Sequence, residues 1–304
     1  HSFPTRRSSD LNETVTFSFM NNESLQKLLF EEGDAHYTAV PILNPITEEF
    51  PLMRTTLLPS LMEVLVRNQA VKNDAVGIYE IAATYRPKAL PITELPAEET
   101  EVAGLIYGKR HRANWPYTAE DYDFYDVKGL VEVVLDSLGI EAELQISDYA
   151  PLHPGKAAEY VKDGKVLCRF GELHPEAVDN YDVAGPVYIF EMYLKNILPL
   201  VNLIPDYHKV GKFPALTRDL AVLVPISTRH EDILAVIRET GGKNLEGVHL
   251  FDMYAGEQVP RGYVSLAFAL TFRSAEGTLS DEDIQEPIQG ILDELQEKLG
   301  AKLR

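Results

Sequence analysis

Cys168 is the only cysteine in the chain, so an intramolecular disulfide is excluded and a reducing cytosol is the expected compartment. No stretch approaches the roughly 18 consecutive apolar residues of a membrane-spanning helix. No Gly-Lys pair is followed by Ser or Thr, which excludes a P-loop, and Gly-x-Gly occurs nowhere, which removes the dinucleotide-binding fingerprint. Basic residues are scarce. The 28 Lys and Arg face 47 Asp and Glu, a net charge of -19, and phosphate contacts need cations, so indiscriminate nucleic-acid binding is excluded. The deficit is uneven: residues 209–304 hold 11 Lys and Arg against 15 Asp and Glu, so most of the excess lies before them. Any nucleic-acid contact by the C-terminal part is therefore expected to be local and directed at bases.

What is present begins with length. A chain of 304 residues, 45% hydrophobic and 25% charged, accommodates two globular domains. From Phe213 onward the pattern is legible element by element. Leu220, Val222 and Val224 alternate as in a strand with one buried face. Thr228 and Glu231 have the spacing of a capping box, ahead of Ile233, Val236 and Ile237 at helical spacing, and Gly241-Gly242 stops that helix. Strands follow at 248–254 and 263–272, separated by Gly256 and the Pro260-Arg-Gly262 turn, and pair as a hairpin. Ser280 caps a last helix with Ile284, Ile288, Ile291, Leu292, Leu295 and Leu299 on one stripe; Pro287 is expected to kink it or delay its start. Gly300 ends it, and a short strand closes the chain. The order βαββαβ is ferredoxin-like, with both helices on one face of a four-stranded antiparallel sheet.

The earlier part reads as strands interspersed with helices. Val15, Phe17 and Phe19 alternate as in a strand, and Asn22–Phe30 is helical. A helix over 58–69, capped by Thr55 or Thr56 with Pro59 in its first turn, presents Leu58, Leu61, Met62, Leu65 and Val66. Strands at 77–85 and 102–107 flank a loop whose carboxylates, Glu94 to Glu101, read as solvated. Residues 126–138 form an amphipathic helix, strands follow at 166–173 and 187–194, and Pro199 and Pro205 mark a linker. The fold class is thus α+β, an antiparallel sheet backed by helices followed by the ferredoxin-like unit. Residues 1–11, HSFPTRRSSDL, fit no structural period and match the translation of a common sequencing-library adapter, so the reading starts at Asn12. The expected divisions are 1–11, 12–205 and 209–304.

Two sets of strings carry a resemblance. FPALTRDLAV, LFDMYAGEQVPRGYVSLAFALTFRS and TLSDEDI resemble the ferredoxin-fold anticodon-binding domain that closes the beta subunit of bacterial phenylalanyl-tRNA synthetase. NPITEEFPLMRTTLLPSLMEVLVRNQ, IYEIAATY, DFYDVKGLVEVVL, LHPGKAAEY and GELHPE resemble, in order, the same family's class II synthetase-like domain. The resemblance covers Asn12 to Arg304. It implies a subunit of an aminoacyl-tRNA ligase that is itself catalytically silent. It further implies a catalytic alpha-subunit partner in an alpha2beta2 assembly, phenylalanine tRNA as the bound nucleic acid, a cytoplasmic location and no membrane. ATP and magnesium are expected in the complete enzyme, with none bound by this chain. The residues agree. Adenylate formation needs fixed arginines, and the strand 79–85 is followed by Arg86-Pro-Lys88, which lacks the Arg-x-Glu pattern, while the later Gly-x-Gly-x-x-Arg segment is absent.

By resemblance the anticodon-binding positions are Asp252 and Ser265, a carboxylate that accepts from a guanine edge and a hydroxyl that donates or accepts, with Tyr254 as a stacking face worth about 1–3 kcal/mol. Ordinary strand packing explains Tyr254 equally well. Arg218 and Asp219 read as a structural pair. His153 and His174, each in Leu-His-Pro, read as turn or core histidines in preference to metal ligands, and Cys168 as a small buried hydrophobe. The cluster 109–112, Lys-Arg-His-Arg, suits RNA, a partner subunit or a solvated hairpin end. The helix over 58–69 has apolar surface for its own sheet and for a partner helix. The competing classes are a small-molecule sensor and an interaction scaffold, since many functions use ferredoxin-like sheets.

Overall fold

The computed structural model describes residues 11–45, 47–111, 115, 118–204, 211–256 and 258–303. The adapter-like stretch up to residue 10, Arg112 of the basic cluster, Pro205 of the expected linker and Arg304 lie outside the described residues. The chain divides into two compact units, His1–Pro205 and Asp206–Arg304.

In the first unit the elements run β1 (Asn12–Glu13), β2 (Phe19–Met20), α1 (Asn22–Lys27), β3 (Leu52–Met53), α2 (Leu58–Ala70), β4 (Ala75–Arg86), β5 (Ala97–His111), β6 (Glu120–Asp121) and α3 (Phe124–Ser137). They continue with β7 (Glu143–Ile146), β8 (Leu152–Lys162), β9 (Lys165–Leu173), α4 (Pro175–Asn180), β10 (Val187–Tyr193) and α5 (Leu194–Ile197). The sheet order is β1-β4-β5-β10-β9-β8-β7, with β6 on β5. Every neighbouring pair is antiparallel except β1 with β4. Two cores sandwich this sheet. Leu58, Leu61, Met62 and Leu65 of α2 pack with Ile78, Leu105 and Ile189 on one face. Val127, Leu130, Val131 and Leu135 of α3 pack with Phe170, Tyr188 and Phe190 on the other.

Several expectations change here. Val15 and Phe17 are 91% and 78% exposed and belong to no strand, because Thr16 is held by side chains: its hydroxyl and amide both donate to the Glu80 carboxylate. Thr55 does not cap α2; its hydroxyl donates to the His36 carbonyl, while Thr56 Oγ1 accepts the Leu58 N–H at 3.2 Å. The carboxylates Glu98, Glu99 and Glu101 are not a loop. They lie in β5, and Glu101 is buried, because Arg86 on the neighbouring strand reaches it. β7 and β8 were not expected at all.

The second unit comprises β11 (Leu216–Pro225), α6 (His230–Thr240), β12 (Leu245–Tyr254), β13 (Tyr263–Phe272), α7 (Asp281–Leu299) and β14 (Lys302–Leu303). The order β12-β13-β11-β14, with every pair antiparallel, is the ferredoxin-like arrangement. Leu220, Val222, Val224, Leu266, Phe268, Leu270 and Phe272 meet Ile233 and Ile237 of α6 and Ile284, Ile291 and Leu295 of α7 in one core. Ser280 and Asp283 form the expected capping box, and Gly300 takes the left-handed conformation that ends α7. Pro287 sits inside α7 without delaying its start. Thr228 and Glu231 form no capping box. Thr228 N–H is spent on the Pro225 carbonyl, so the helix begins one residue later, with Arg229 at the cap position. Arg218 does not pair with Asp219, since successive strand residues point to opposite faces; it reaches Asp281 at the start of α7.

Candidate nucleic-acid interface

With α6 and α7 on one side, the other face of the second sheet carries no helix among the described residues. Register defines its occupants. Leu220, Val222 and Val224 lie opposite Phe268, Leu266 and Val264 on the helix face, which leaves Leu223, opposite Ser265, on the open one. Strand β12 would present Leu250 and Asp252 on the same face if it were regular. A bulge at Phe251 breaks that rule: Leu250 pairs with Phe268, but Asp252 pairs with Ala267 and Tyr254 with Ser265. The extra residue thus carries both Asp252 and Tyr254 onto the open face, beside Ser265.

All three expected positions are therefore brought to one surface, in different states. The Asp252 carboxylate is exposed, with no hydrogen bond or ion pair among the described residues. Tyr254 is 39% exposed, its ring lying so close to Gly256 that any Cβ there would collide with the phenol. Ser265 is only 3% exposed, so a base reaches its hydroxyl only when neighbouring side chains of the open face move. Two further residues escaped the sequence reading. Lys302 on β14 lies opposite Leu223, completing the row Ser265, Leu223, Lys302, and its ammonium sits 4.9 Å from the centroid of the Tyr263 ring. Tyr263 was findable, two positions before Ser265 on the same strand; Lys302 was not, since its strand is only two residues long.

The other expected groups are spoken for. Lys109 pairs with Asp121 at 2.7 Å, and Arg110 with Glu120 and Asp126, so both cations are neutralised locally. His153 Nδ1 accepts the Gly155 N–H and His174 Nδ1 the Glu176 N–H, each closing a turn. Burial pushes the Cys168 thiol up to about 12, which leaves it an inert apolar group.

Arg54 pairs with Glu80 at 3.0 Å, Arg86 with Glu101 at 2.8 Å and Arg169 with Glu159 at 3.1 Å. Each guanidinium already has its own carboxylate, so none is left to neutralise phosphate charge, and no group of three His, Cys, Asp or Glu among the described residues has the arrangement of a metal site.

Comparison with known proteins agrees with this division. Residues 5–194 match the family model of the phenylalanyl tRNA synthetase beta chain CLM domain, a match that begins inside the adapter-like stretch, and residues 211–304 match that of the ferredoxin-fold anticodon binding domain. The phenylalanine–tRNA ligase beta subunits of Clostridium acetobutylicum and Listeria monocytogenes are both 36% identical, over 98% and 97% of this chain. That of Geobacter sulfurreducens is 34% identical over all of it. The chain spans 36% of the length of the first two relatives and 39% of the third. A pyrrolysyl tRNA synthetase from Desulfitobacterium hafniense superposes with a TM-score of 0.46 and 17% identity, covering 62% of each chain. These matches cover both units, and the chain belongs to the phenylalanyl-tRNA synthetase beta-chain family.

Proposed function

We propose that the open face of the second sheet holds the anticodon of phenylalanine tRNA while a catalytic alpha subunit forms the aminoacyl bond, in an alpha2beta2 assembly in the cytoplasm. The observation that carries this reading is the Phe251 bulge, which spends a residue to turn a carboxylate and a phenol toward a helix-free surface. Anticodon bases are unpaired and can be splayed, stacked and read on their edges. Asp252 accepts hydrogen bonds from a guanine edge, and Tyr254 offers a ring face. Ser265 supplies a hydroxyl once uncovered, and Lys302 supplies a cation for the backbone in a chain otherwise poor in them.

The first unit contributes surface, not chemistry. Arg54, Arg86 and Arg169 are each paired with a carboxylate, which suits a division in which ATP and magnesium act on the partner. Val15, Phe17, Phe19 and Phe50 line an apolar recess of about 420 Å³ against Ser60, Glu63, Val64 and Arg67 of α2, a surface suited to the partner subunit.

The test is tRNA affinity of the reconstituted assembly as a function of salt. Asp252→Ala weakens the cognate anticodon by about 1–3 kcal/mol, leaves the salt slope unchanged and barely affects tRNA with another anticodon. Lys302→Ala weakens all tRNAs alike and lowers the salt slope by about 1. Equal losses on cognate and non-cognate anticodons with Asp252→Ala would sink the reading.

A further inference from the structure

The face of the first sheet that lies under α2 holds one carboxylate too many. Glu80, Glu101 and Glu159 each pair with an arginine; Glu191 forms no ion pair of its own among the described residues, and the cation opposite it on β9, Arg169, is engaged by Glu159. Glu191 Oε1 accepts the Thr56 hydroxyl at 2.6 Å, and Thr56 in turn accepts the Leu58 amide. Among the described residues Glu101 Oε2 has no hydrogen-bond partner, while Glu191 Oε2 has only the Tyr149 hydroxyl beside it as a donor. Glu101 and Glu191 are each 2% exposed. Glu101 lies opposite Tyr193 and Glu191 opposite Ala103, so the two carboxylates are diagonal neighbours on adjacent strands, within reach of long side chains. Two anions so placed, away from water, repel each other at low dielectric, and such a pair relieves the repulsion by keeping a proton.

We propose that Glu101, buried beside Glu191, is a proton-binding site that stays occupied at neutral pH, so that the polar patch under α2 carries no net charge. The cations nearby are already engaged by carboxylates. From β4, Arg86 faces Glu101, with Thr84 alongside; Glu99, on the same strand as Glu101, is engaged by Lys195 at 2.6 Å. From β9, Arg169 is engaged by Glu159 and lies over the Tyr149 and Tyr193 rings, while Asp34 is occupied by His36. Arg54 is held by Glu80. Burial and then the field of Glu191 push the Glu101 carboxyl up to about 8 despite Arg86, and burial followed by the same field raises Tyr149 and Tyr193, which stay neutral.

The sign of the pH dependence follows. The folded chain keeps a proton that the unfolded chain releases above its ordinary carboxyl value of 4.5. Stability therefore declines as pH rises from there through about 8 and levels off above. The test takes the full chain and two variants, Glu101→Gln and Glu191→Gln, because an amide supplies the missing hydrogen permanently. Infrared spectra of the parent show a protonated-carboxyl band at neutral pH that titrates away with a midpoint near 8, and Glu101→Gln removes it. The melting temperature of the parent drops over the same range, and that drop shrinks in Glu101→Gln; if this variant fails to fold, Glu191→Gln gives both readouts. Absence of the band at neutral pH overturns the proposal, as does a variant whose melting temperature drops with pH as much as the parent's.

Discussion

Replacing Glu80 with alanine strands a charge that cannot leave. Arg54 is 2% exposed, and its guanidinium stays protonated at any accessible pH, so removal of Glu80 leaves a buried cation with only neutral acceptors. Those acceptors are the Ala83 carbonyl at 3.0 Å, Thr16 Oγ1 at 3.0 Å and the Phe17 carbonyl at 3.4 Å. Breaking a buried pair from one side costs about 3–5 kcal/mol, and here Thr16 loses two further bonds to the same carboxylate, which places Glu80→Ala toward the upper end. Removing both charges is different. Arg54→Met with Glu80→Leu substitutes apolar bulk for the pair, and such exchanges are often near neutral, so the double variant should recover at least about 2 kcal/mol of the single variant's loss. The assay is urea unfolding followed by far-ultraviolet circular dichroism, since Trp115, 95% exposed, reports poorly on the core. A loss below about 1 kcal/mol for Glu80→Ala, or a double variant no better than the single, would refute the reasoning.

Cys168 should label with a thiol reagent only as fast as the first unit unfolds, because its thiol is buried and held protonated to about 12; rapid labelling of the native chain at pH 8 contradicts this. Ser280→Ala removes the capping box of α7 and should lower the stability of the second unit by about 1 kcal/mol, read by urea unfolding of the chain. Gly256→Ala drives a methyl group into the Tyr254 phenol and should weaken tRNA binding about as much as Tyr254→Ala does; full affinity in Gly256→Ala would show that the ring position is irrelevant.

The second unit was legible because its core is made by alternation and helical spacing, signals that need no distant partner. Leu220, Val222 and Val224 announce their face by period alone. The same rule misleads where an alternating run has no sheet to join: Val15 and Phe17 mimic a strand, yet Thr16 is captured by Glu80 from 64 positions away. Strand β8 was lost for the opposite reason, since Pro154 and Gly155 interrupt its pattern where the register shifts between Leu152 and Ala157. The carboxylates of β5 read as solvent-facing because a local charge run carries no trace of its neutralisers, Arg86 at a separation of 15 positions and Lys195 at 96. The site itself sits at the limit of what pattern can reveal. Strict alternation from Leu250 would turn Asp252 inward against the helices, and only pairing with β13 shows that Phe251 is the extra residue.

That limit bears on how the two sheets divide their work. In the first, Arg54, Arg86 and Arg169 are each met by a carboxylate from a sheet strand, and helix α2 covers that face, so the charge is balanced within the fold. In the second, the helices cover one face, and the other keeps an exposed carboxylate, a phenol and a lysine with no helix above them. Both sheets are antiparallel apart from the β1–β4 pair, and both carry polar groups. What separates them is whether charge is cancelled inside the fold or left at its surface for a ligand to cancel. On the reading proposed above, the second surface is the one that gains by binding, and the bulge that leaves one residue unpaired is what brings Asp252 and Tyr254 to it.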